Sequence, residues 1–104
     1  MVVVGGSPAS FSCFTDSADK LCWRRYDRRI ILCLLCNDVY GCRDSRFSTA
    51  ESSVDNNLWR HSLTIDSCNA TDSGRYWCQD CRQIYNKKLA DLTVLGWSVL
   101  AIFI

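Results

Sequence analysis

The chain has 104 residues, 48% of them hydrophobic and 22% charged, and its 12 Lys and Arg against 11 Asp and Glu leave a formal net charge of +1. That length holds one domain with a self-supporting core, and the near-neutral balance excludes a bulk electrostatic pull toward nucleic acid or an acidic partner. The 8 cysteines are dense enough to read as a disulfide scaffold made in an oxidising compartment.

Met1 is followed by only Val2, Val3 and Val4 before Gly5. It has neither the basic stretch nor the apolar core of a signal peptide, so it reads as a fragment or a processed or re-engineered start. After a turn at Gly6-Ser7-Pro8, Ala9, Phe11 and Cys13 share one face of a strand. Phe14 to Lys20 is a polar loop. Leu21 and Trp23 then face inward and Cys22 and Arg24 outward, and Arg24, Arg25, Arg28 and Arg29 around Asp27 read as a solvated strand end and turn. Ile30 to Leu35 is a short apolar strand, with a turn at Asn37 to Gly41; Arg46-Phe47 lies in the next segment, Cys42 to Ser48.

Ser52 to Asn57 is polar. Leu58 to Ile65 alternates, with Trp59, His61, Leu63 and Ile65 on one parity, and the single histidine among them reads as a structural residue rather than a ligand or catalyst. Arg75 to Asp80 is a strand with Tyr76 and Cys78 inward and Trp77 outward. Gln79 to Lys88 is a loop, and Leu89 to Leu95 is a strand with Ala90, Leu92 and Val94 on one face. Every signal has period two, which makes the chain an all-β, two-sheet antiparallel sandwich. Residues 96–104 form an apolar tail, read either as the start of a truncated membrane-spanning helix or as a packed tail.

Asp72, Gly74, Tyr76 and Cys78 make a D-x-G-x-Y-x-C pattern after Leu63 and Ile65, while Cys13 and Trp23 stand upstream at the spacing of a core cysteine and tryptophan. This set resembles an immunoglobulin variable-type (V-set) domain over residues 1–95. The Tyr76-Trp77-Cys78 triplet and the extra cysteines are most similar to the non-rearranging receptors of the polymeric immunoglobulin receptor and leukocyte mono-immunoglobulin-like receptor group.

The resemblance implies a Cys13–Cys78 inter-sheet bridge beside Trp23, an Arg46–Asp72 ion pair closing one end of the sandwich, and a tyrosine corner at Tyr76. In the implied topology the strands carrying Cys22 and Cys81 are antiparallel neighbours, which pairs those two. Cys33, Cys36, Cys42 and Cys68 allow three pairings among which the sequence does not choose; the preferred one joins Cys36 to Cys42 across the intervening turn, leaving Cys33 and Cys68 bridged or free, with Cys68 at a position the family fills with a buried aliphatic residue. Cys33-Leu34-Leu35-Cys36 and Cys78-Gln79-Asp80-Cys81 also have zinc-knuckle spacing. Leu34-Leu35 continues an apolar strand, however, and giving Cys78 to a metal would strand Cys13, so no metal and no cofactor are expected.

The function implied is a non-catalytic recognition ectodomain of a cell-surface immune-type receptor, on the extracellular face of the plasma membrane or secreted. No nucleophile pattern, carboxylate pair or phosphate loop argues for an enzyme. A protein or cell-surface ligand would be bound through one sheet face and its loops, at Arg24, Tyr26, Tyr40, Trp77, Arg82 and Tyr85, with Val39, Asp80 and Ile84 beside them. The alternative is an adhesion or structural module pairing through the same face as a homo- or heterodimer. Nucleic acid is not an expected partner, and a membrane is one only through a C-terminal anchor. Asn69-Ala70-Thr71 is a glycosylation sequon.

Overall fold

Ala9, Phe11 and Cys13 are buried while Ser10, Ser12 and Phe14 face solvent, so β2 (Ala9–Thr15) shows the alternation of a strand packed on one side only. A computed structural model describes residues 1–26, 30–37, 39–81 and 87–96, and the backbone alone for 87–89. The other strands are β1 (Val2–Val4), β3 (Lys20–Arg25), β4 (Ile30–Cys36), β5 (Val39–Cys42), β6 (Phe47–Asp55), β7 (Leu58–Ile65), β8 (Gly74–Asp80) and β9 (Lys87–Leu95). They form a six-stranded sheet in the order β1-β9-β8-β3-β4-β5 and a three-stranded sheet in the order β2-β7-β6. Neighbours are antiparallel except β1, which runs parallel to β9.

Phe11, Cys13, Leu63 and Ile65 from the smaller sheet meet Trp23, Leu32, Tyr76, Cys78 and Leu92 from the larger. Each buried Leu, Ile or Phe among them contributes about 1.5–3 kcal/mol. A Cys13–Cys78 disulfide ties the sheets through this core, with Trp23 opposite Cys78 in register. The chain passes from the larger sheet to the smaller through Gly6, whose φ of 88° is open to glycine at no steric cost. A bulge between Trp23 and Arg24 leaves both Leu32 and Cys33 buried on β4.

The expected Cys22–Cys81 bridge and the preferred Cys36–Cys42 pairing are corrected. Cys36 bonds Cys81, Cys33 bonds Cys42, and Cys22 is a free, buried thiol, as is Cys68. Register is the reason. Cys36 stands opposite Val39, so the strand pairing begins there and the stretch Val39 to Gly41 is strand rather than turn. Asn37, directly after β4, has a left-handed φ of 51°. Cys33 and Cys42 are thereby direct cross-strand partners, with Cα atoms 4.0 Å apart.

Cys22 faces Gln79, two positions short of Cys81. Cys81 instead lies past the end of β8, its N–H bonded to the Lys20 carbonyl, and Lys20 has Cys36 on its other side. The two cysteines that flank Lys20 are 6.2 Å apart at Cα and join over it.

Three further readings change. Val2–Val4 is a strand, paired with Thr93 to Leu95. Ser52 to Asp55 belongs to β6, an edge strand exposed along most of its length. Arg25, read as solvated, is buried to 6% exposure. The tail 97–104 and residues Asp27, Arg28 and Arg29 lie outside the described residues.

Candidate functional site

The outward parity of β3 and β8 puts Cys22 opposite Gln79 and Arg24 opposite Trp77, with Ile31 of β4 on the other flank of Arg24. Tyr26 follows directly and meets Trp77 edge to face, ring centroids 4.9 Å apart at 71°, a geometry that aromatic quadrupoles favour. Its backbone N–H is held by the Arg75 carbonyl at 2.8 Å. Tyr26 and Ile31 are 47% and 41% exposed, and Trp77 and Arg24 are half-buried. An apolar centre with an arginine in it therefore faces outward. Arg24 Nε is buried with no acceptor among the described residues.

Beyond Arg24, Leu34 stands opposite Gly41, where a Cβ would meet nothing, so the far edge of the face is open. At the other flank Arg75 Nε donates to Asp91 Oδ1 at 2.8 Å, and this exposed pair holds the Asp91 carboxyl below its ordinary range. Cys22 shares the outward parity yet is 4% exposed. Burial pushes its thiol pKa up, and the charge and hydrogen bond of Arg24 oppose that shift.

Not every candidate joins this face. Tyr40 is exposed, but it pairs with Leu35 on the inward parity and its hydroxyl accepts from Thr49 of the other sheet. Asp80 is buried opposite Leu21. Val39 is exposed on the outward side of β5, next to Cys36. Arg82, Ile84 and Tyr85 lie outside the described residues. The face thus gathers Arg24, Tyr26 and Trp77, and it adds Ile31 and Leu34, which sequence reading had assigned only to an apolar strand. Their two-sided run of Ile and Leu carries no parity signal to say which of them points out.

At the end of the sandwich, Arg46 Nη2 meets Asp72 Oδ2 at 2.5 Å, and the same oxygen accepts the Asn69 N–H at 2.9 Å. Asn69 caps the short 3-10 turn Ala70–Asp72, its Oδ1 accepting the Thr71 N–H at 3.0 Å. The Tyr76 hydroxyl donates to the Asp72 carbonyl at 2.5 Å, and the ring stacks on Phe11 at 5.1 Å. The Arg25 guanidinium also lies over that ring, 5.5 Å from its centroid. His61 is buried, with Nε2 2.8 Å from both the Thr15 hydroxyl and the Ser17 carbonyl, which ties a loop down. No group of metal-ligating side chains occurs among the described residues.

Two facing sheets, an inter-sheet disulfide beside a buried tryptophan and a tyrosine corner together make this an immunoglobulin sandwich. No protein-family model and no curated protein matches the chain. Among solved structures it is similar to the ZIG-8 IG1 homodimer, at 25% identity over 91% of this chain and 77% of that one, with a TM-score of 0.66. It is likewise similar to the ZIG-8–RIG-5 IG1–IG1 heterodimer, at 26% identity over 90% and 79% with a TM-score of 0.65. The Ig1 domain of mouse SynCAM 2, at 23% identity over 91% and 89% and a TM-score of 0.61, shares the fold.

Proposed function

We propose that the chain is a non-catalytic recognition ectodomain of variable type, carried on a cell-surface immune-type receptor and binding a protein or cell-surface ligand through the outward face of the six-stranded sheet. The observation that carries this reading is the Tyr26–Trp77 pair, set edge to face and flanked by Arg24 and Ile31. Aromatic and arginine side chains are the residue types that anchor interfaces. The variable type is supported by β4 and β5 extending the β9-β8-β3 sheet. Kinship with the polymeric immunoglobulin receptor and leukocyte mono-immunoglobulin-like receptors rests on Tyr76-Trp77-Cys78 and the added cysteines. Disulfides of this density favour an extracellular or secreted location. Asn69 would carry a glycan on Nδ2, since the cap uses only its Oδ1.

A second reading, pairing with a second copy or a sister chain through the same face, is favoured by the two dimers of similar fold, one homotypic and one heterotypic. One set of variants separates the two. A multimerised wild-type domain should stain ligand-bearing cells, with Trp77→Ala and Arg24→Glu reducing staining at least tenfold; equal staining by the variants would sink the receptor reading. Sedimentation equilibrium of the purified chain should show a monomer. A concentration-dependent dimer that Trp77→Ala abolishes would transfer the face to self-pairing.

A further inference from the structure

A cavity of about 170 Å³ opens at the end of the sandwich, its polar wall made by Arg25, Arg43, Asp44, Arg46, Thr71 and Asp72. Three guanidinium groups thus face two carboxylates. The carboxylates are already engaged: Asp72 Oδ2 accepts from Arg46 Nη2 and the Asn69 N–H, and Asp44 Oδ1 accepts the main-chain N–H of Arg46. Arg25 is fixed in place, donating Nη1 to the Thr71 carbonyl and Nη2 to the Ser73 carbonyl. Arg46 Nε is buried and has no acceptor among the described residues. Arg43, also lining the cavity, is exposed, and its side chain makes no hydrogen bond or ion pair among the described residues.

Water would satisfy the Arg46 N–H but bring no counter-charge to the Arg43 guanidinium, which has none among the described residues. An oxyanion answers both, because guanidinium donors form their strongest hydrogen bonds to oxyanions and pair with them in a fork. The volume equals the share of about five to six waters, room for one sulfate- or phosphate-sized group with some hydration. We propose that this cavity binds a small oxyanion, a sulfate or phosphate group, held by Arg43 and Arg46 Nε beside the fixed charge of Arg25. The site is separate from the sheet face and stands whether or not that face binds a partner.

The test is a titration of the intact chain with sodium sulfate at ionic strength held constant with sodium chloride, followed by proton–nitrogen correlation spectra that include the arginine Nε–H signals. Saturating shifts at Arg46 Nε–H and the Thr71 amide are expected, and Arg43→Ala should weaken the apparent affinity about tenfold, the scale of one charge-assisted hydrogen bond. The Arg43 side chain makes no hydrogen bond or ion pair among the described residues, and unchanged core amides check that the variant stays folded. Methyl sulfate identifies the source: equal saturation means the group can be presented on a larger molecule, and saturation by sulfate alone means a free ion. Shifts that grow linearly with sulfate, or an affinity unchanged in Arg43→Ala, would overturn the proposal.

Discussion

Asp72 serves three partners at once: Arg46 and the Asn69 N–H through its carboxylate, and the Tyr76 hydroxyl through its carbonyl. Asp72→Asn should cost about 2 kcal/mol in urea denaturation, below the 3–5 kcal/mol of a fully buried pair because the Arg46 side chain keeps 34% exposure and solvent screens it. Tyr76→Phe should cost about 1–2 kcal/mol, since it strands a buried carbonyl. The free thiols give a pH signature. Burial raises Cys68 and Cys22 above their ordinary pKa, and the Asp72 carboxylate adds to the rise at Cys68. Above about pH 8.5 the unfolded chain therefore releases protons that the folded one keeps, and stability falls as pH rises through the folded values. Below that range these thiols add no pH dependence. Chemical denaturation between neutral and alkaline pH should show the fall, and the Cys22→Ala/Cys68→Ala double variant should flatten it. Iodoacetamide should label both thiols only after unfolding.

Within the elements, the decisive variable is register. The pairing of Cys36 with Val39 aligns Cys33 with Cys42 and leaves Cys36 to reach Cys81 past the end of β8. Non-reducing peptide mass spectrometry should return Cys13–Cys78, Cys33–Cys42 and Cys36–Cys81 as linked peptides, with Cys22 and Cys68 alkylatable once the chain is denatured. A Cys22–Cys81 peptide would refute the strand register described above. Strand β1 and the later part of β6, beyond the strand start that Arg46-Phe47 resembles, escaped sequence reading for physical reasons. Val2 to Val4 is too short to show a period, and its partner is about ninety residues away at Thr93 to Leu95. Much of β6 is exposed, so Ser52 to Asp55 carries no apolar alternation to read. By contrast Leu58 to Ile65 and Gly74 to Asp80 each bury alternate residues, and both were legible.

For the whole molecule, cohesion rests on the two sheets meeting across Cys13–Cys78, whose closed segment spans a separation of 65 residues. Cys13→Ala/Cys78→Ala should lose about 4 kcal/mol, a figure that follows from the entropy of loop closure. A drop of that size in the unfolding free energy, or failure to fold at 37 °C, is the expected reading. Alternation between neighbouring residues determined the sandwich and the outward turn of Trp77, and the resemblance of the short motifs to variable-type domains implied the core bridge and the Arg46–Asp72 pair. Only the tertiary structure decided which of the remaining cysteines meet, that outward-facing Cys22 is nevertheless covered, that Tyr40 turns toward the second sheet, and that Arg25, Arg43 and Arg46 converge on one cavity. Those outcomes depend on strand register and on side chains that lie far apart in the chain, so no local pattern encodes them.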